Sequence, residues 1–95
     1  MNEVGYRVWS AQNGKNKKVV SDNVSRLKRL ERELGQINID DEYKKDQCHQ
    51  LLSLFDNTGK NPEMKKYNSS LPIGKYYLST YKHALRTYIE YLKSI

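Results

Sequence analysis

Ninety-five residues carry 17 Lys and Arg against 11 Asp and Glu, a formal net charge of +6, with 37 % hydrophobic residues and eight tyrosines. That length holds one thin core and excludes barrels and doubly wound sheets. The lone Cys48 excludes an intramolecular disulfide and a thiol pair for zinc; with no signal-peptide pattern and no 18-residue apolar run, the expected setting is cytoplasmic with no membrane partner.

In chain order, residues 1–18 read as a short helical turn followed by a basic loop. Val4, Val8 and Trp9 can share one face, with Trp9 docking the chain onto the core, and Asn13-Gly14 closes the turn before Lys15-Asn16-Lys17-Lys18. Residues 19–35 read as a helix: Val20, Val24, Leu27, Leu30 and Leu34 recur at three or four. Ser21, Asp22 and Asn23 supply capping groups at its start, and Gly35 suits its end. A second helix is expected over 40–56, opened by Asp40-Asp41-Glu42 at the positive end of its dipole, with Tyr43, Cys48, Leu51, Leu52 and Phe55 on one face.

Residues 57–74 read as a long loop punctuated by Asn57, Gly59, Pro62, Asn68, Ser69, Ser70 and Pro72. The last helix, 75–95, carries the stripe Leu78, Tyr81, Leu85, Tyr88 and Leu92. The expected fold is all-α, a single compact bundle of three main helices plus a short N-terminal helical turn.

Material for catalysis is scarce. His49 adjoins Cys48, but neighbours on a helix point about 100° apart. Asp40, Asp41, Glu42 and Asp46 are explained by capping and dipole effects, and no histidine completes a metal set. Gly14-Lys15, Gly59-Lys60 and Gly74-Lys75 lack the rest of a phosphate-binding loop. The reading is a protein that is not an enzyme and takes no cofactor or metal.

Charge is distributed in blocks: net +4 over 1–35, −3 over 36–56 and +5 over 57–95. The polar side of the last helix concentrates it. Lys75, Ser79, Lys82, Arg86 and Lys93 are spaced to form one stripe opposite the apolar one, flanked by His83 and Thr87 and interrupted only by Glu90. Lys18, Arg26 and Arg29 from the 19–35 helix can join the same field. Long cationic arms and hydroxyls along a helix suit a phosphate backbone, so duplex DNA is the expected partner. Five or six such contacts give a log affinity against log salt slope of roughly −5. The alternative is a protein-interaction module, a small phage or mobile-element protein docking on an acidic partner through Tyr76, Tyr77 or Tyr91. The acidic helix pairing with a second copy is a further route to association.

Leu78-Ser79-Thr80-Tyr81-Lys82-His83-Ala84-Leu85-Arg86-Thr87-Tyr88-Ile89-Glu90-Tyr91-Leu92 resembles the closing helix of the SAM-like core-binding domain of phage integrases and other tyrosine recombinases. Residues 19–31 resemble that family's opening helix, and Asp40-Asp41-Glu42 its middle one. The resemblance implies a four-helix DNA clamp with Arg26, Lys82 and Arg86 near the backbone. It departs from the family in its longer 57–74 loop and in having no catalytic domain. It therefore implies a binder without strand cleavage, alone or as the N-terminal module of a larger recombinase or nuclease assembly.

Overall fold

The computed structural model describes all residues, 1–95, and is all-helical. Six α-helices follow one another: α1 (Glu3–Gln12), α2 (Lys17–Glu33), α3 (Ile39–Asp46), α4 (His49–Ser53), α5 (Pro62–Lys65) and α6 (Leu78–Ser94), with a tight turn at Asp56–Gly59. α6 is the axis of the fold and packs against α1, α2, α3 and that turn. Twenty-one buried apolar residues form one continuous core.

The stripes expected on the two long helices are the ones buried: Val20, Val24, Leu27, Leu30 and Leu34 from the α2 region, and Leu78, Tyr81, Leu85, Tyr88 and Leu92 from α6. α2 starts two residues earlier than the apolar pattern indicates. Its cap is Asn16, whose side chain accepts from the N–H groups of Lys18 and Val19. Ser21, Asp22 and Asn23 therefore lie inside the helix, and Asn23 is buried, donating to the Tyr6 hydroxyl. α6 begins at Leu78; Lys75–Tyr77 form the turn that leads into it.

The N-terminal turn proves to be a ten-residue helix with a different inner face. Asn2 caps it by accepting from Gly5 N at 2.9 Å. Val4 and Val8 face solvent, while Tyr6 and Ser10 are buried. Aromatic packing decides this: Tyr6 lies 5.4 Å from Tyr88, 6.0 Å from Tyr91 and 6.1 Å from Trp9, ring centre to ring centre. Each such pair adds about 0.5–1.5 kcal/mol to ordinary burial. Gly5 permits the approach, since a Cβ there would collide with the Tyr91 hydroxyl. Half-buried Trp9 docks on the same cluster.

The 40–56 helix is interrupted. Gln47 and Cys48 both take left-handed backbone angles, φ 59° and 65°, ending α3 and restarting the chain as α4. The kink lets Ile39, Cys48 and Leu51 all enter the core, and Asp46 Oδ2 accepts from Gln50 N to cap the new segment.

The 57–74 loop also holds structure. Pro62 opens α5 at a position where a missing N–H costs nothing, after the cap Asn61. The Asn61 side chain accepts from Met64 N and donates to the carbonyls of Leu54 and Asp56, tying this segment together. Met64 and Leu71 are buried beneath it.

Polar bonds close the far side of α6. The Tyr88 hydroxyl accepts from Asn2 N and donates to Asp40 Oδ1. Glu31 Oε2 accepts from the Met1 amino group at 2.8 Å and from Ile39 N at 2.9 Å. No helix is long and apolar enough to cross a membrane.

Candidate nucleic-acid interface

On α6 the core takes nine of the side chains, leaving a narrow exposed ridge of Ser79, His83, Arg86, Glu90 and Lys93, with Lys82 half-buried on its flank. Ser79 to Lys93 covers about 21 Å at 1.5 Å per residue. Lys75 continues this line on the preceding turn and is exposed. Lys75, Lys82, Arg86 and Lys93 have no carboxylate within 4.0 Å, and Glu90 pairs with none of them.

The acidic opening of α3 sits elsewhere. Tyr88 follows Arg86 by two residues, about 200° round the helix, and it is Tyr88 that meets Asp40 at the acidic opening of α3. Asp40 therefore lies across α6 from Arg86.

The three α2 candidates differ from one another. Arg26 is half-buried and free of any carboxylate partner. It stands between Asn23, which shares a 250 Å³ depression with His83, Thr87 and Glu90, and Arg29, which reaches Tyr81. Lys18 is exposed, its ammonium 3.7 Å from Asp22.

Arg29 is engaged inside the fold. Its guanidinium donates to the Tyr81 hydroxyl at 2.7 Å and the Ser70 carbonyl at 2.8 Å, and lies 5.6 Å from the centre of the Tyr81 ring. Glu33 completes this fastening by accepting from Ser70 N and Ser70 Oγ, bonds that hold its carboxyl below the usual range. Arg29 thus pins the segment before α6 to α2.

Two further recesses are lined by lysines. A cleft of about 340 Å³ lies between the Asp56–Gly59 turn and the start of α6. It gathers Lys75, Tyr76, Ser79 and Lys82 opposite Asp56, Asn57 and Thr58, above Phe55 and Leu78. A groove of about 400 Å³ between α1 and α2 brings Arg7, Lys15 and Lys17 to a floor of Ala11 and Val20. Lys15 and Lys17 were signalled by the run 15–18 but not by any periodicity; Asp56–Thr58 carried no signal beyond turn composition.

Of the aromatic anchors for a protein partner, Tyr76 and Tyr77 are exposed, while Tyr91 is buried in the aromatic cluster and corrects that expectation. Cys48 is buried, and its thiol is pushed up to about 12, first by burial and then by the Asp46, Glu42 and Asp40 carboxylates. It stays protonated at neutral pH and supplies no thiolate nucleophile. No group of three or more His, Cys, Asp or Glu side chains comes together to hold a metal ion. No known protein family, curated protein or solved structure matches the chain.

Proposed function

We propose that this chain is a non-catalytic DNA-binding domain that grips the duplex phosphate backbone along the exposed ridge of α6. One observation carries the reading: Lys75, Lys82, Arg86 and Lys93 form a line of cations with no carboxylate partner, on the side of α6 turned away from the acidic opening of α3. Charge left unpaired in this way is available to displace counterions from a polyanion, which drives such binding. Ser79 adds a hydroxyl at the start of the line, and Arg26 adds a fifth cation from α2. Lys18 and Arg29 contribute less, because Asp22 and the Tyr81–Ser70 bonds already engage them. The likeness to the core-binding domain of tyrosine recombinases belongs to the same proposal and supports a clamp that reads the backbone and not the bases.

Five free cations predict a log affinity against log salt slope of about −4.5. Fluorescence anisotropy of a labelled duplex of about 20–30 base pairs, between about 50 and 200 mM salt, samples the steep range. Lys82→Ala with Arg86→Ala is expected to flatten the slope by about two contacts' worth. The control Lys44→Ala/Lys45→Ala, on α3, leaves it unchanged. Equal slopes for wild type and the α6 double variant overturn the assignment.

A further inference from the structure

Tyr76 is 88 % exposed, the most exposed of the large hydrophobic side chains, in a chain that buries Tyr6, Tyr81, Tyr88 and Tyr91. It stands at the lip of the cleft beside α6, next to two lysines that no carboxylate neutralises. The opposite wall is held in place. Gly74 N donates to the Thr58 carbonyl at 2.7 Å, and Asn57 and Thr58 are fixed in left-handed conformations. Gly59, at φ +80°, lets the turn close onto Leu78, which a Cβ would meet at 2.7 Å. The recess is thus built before anything enters it, which lowers the ordering cost of binding. Its volume, about 340 Å³, falls at the lower end of small-ligand sites.

Resting on the DNA-binding reading, we propose that this cleft takes one unstacked nucleotide from a frayed or single-stranded DNA end. The base lies against the Tyr76 ring and the phosphate sits between the Lys75 and Lys82 ammonium groups. An intact duplex gives Tyr76 nothing to do, because the faces of its bases are already covered by their neighbours. A strand end exposes such a face, and stacking on an aromatic ring tolerates any base. Asp56, on the far lip, keeps the phosphate to the lysine side and offers an acceptor to a base amino group.

The test compares a blunt duplex with the same duplex carrying a short 3′ or 5′ single-stranded overhang, both labelled for anisotropy at one fixed salt concentration. Wild type, Tyr76→Ala, Tyr76→Phe and Tyr77→Ala are measured on each. Tyr76→Ala is expected to weaken overhang binding by about 5- to 150-fold, the range set by base–aromatic stacking. It leaves blunt-duplex binding unchanged, Tyr76→Phe retains the overhang preference, and Tyr77→Ala, outside the cleft, changes neither. The exposure of Tyr76 makes loss of folding no explanation, and a matched thermal melt verifies this. Equal effects of Tyr76→Ala on the two DNAs, or none on either, overturn the proposal while the salt slope of α6 stands. No binding of either DNA by wild type overturns both readings.

Discussion

α2 and α6 are both 17 residues long, and they lie side by side in opposite directions. By composition α2 is the more basic: it holds Lys17, Lys18, Arg26, Lys28, Arg29 and Arg32, whereas α6 holds Lys82, Arg86 and Lys93. The structure removes that lead in the quantity that matters for a polyanion: Lys17, Arg26 and Arg32 stay unengaged on α2, as many as the three cations of α6. On α2, Lys18 pairs with Asp22, Lys28 with Glu3, and Arg29 binds Tyr81 and Ser70. On α6 every cation is free of a carboxylate partner. Charge that holds a fold together and charge that is offered outward look identical in a count. Only the partners tell them apart.

The largest effect separates the two sides of α6 itself. Leu85 and Arg86 are adjacent, yet Leu85 is 0 % exposed in the core and Arg86 lies on the ridge. Leu85→Ala is expected to cost about 2–5 kcal/mol in urea denaturation, as buried leucines do. A loss below about 1 kcal/mol would show that α6 is not the axis of the core.

The next test sharpens the contrast between the helices. Arg29→Gln removes hydrogen bonds from a charged donor to Tyr81 and Ser70, so stability falls by about 1–3 kcal/mol with little change in salt slope. Arg86→Gln does the reverse: stability holds within about 0.5 kcal/mol, and the slope flattens by about 0.9. If both substitutions moved the same observable, spent and free charge would not be distinct on these helices.

The smallest effect concerns pH. Burial, and then the hydrogen bond to Asp40, raises the Tyr88 hydroxyl above its ordinary value of 10.0. An acid raised on folding contributes stability that is fully present below about pH 10 and lost as pH climbs past it. The urea midpoint is expected to fall progressively above about pH 10, and Tyr88→Phe to lack that part of the decline. An identical alkaline profile in both proteins would mean that Tyr88 is not held neutral by the fold.

The long helices were legible because a 3.6-residue period survives any detail of packing: Val20 through Leu34 and Leu78 through Leu92 are buried as spaced. α1 was misread because Val4 and Val8 are more apolar than Tyr6, while ring area and shape decide which face is buried. The break at Gln47 and Cys48 left no mark, since neither residue type announces a left-handed turn. Pro62 reads as loop punctuation, yet behind Asn61 it is a helix start. For the candidate site, spacing placed Ser79, Arg86 and Lys93 on one exposed line. It carried no information on which cations are engaged, because Glu3 reaches Lys28 and Ser70 reaches Arg29 across long stretches of chain. The cleft was equally hidden, formed by segments 55–58 and 75–82 that are distant in sequence.

Cys48 closes the gap between α3 and α4 with no exposed surface, its thiol directed at the Ile39 carbonyl. Covered and protonated, it meets an alkylating reagent only when the helices around it separate. As the sole cysteine in the chain, it gives one unambiguous signal per molecule. Its labelling rate is therefore a stopwatch for how often the domain comes apart, and any ligand that holds the native domain together slows it in proportion to how tightly it binds.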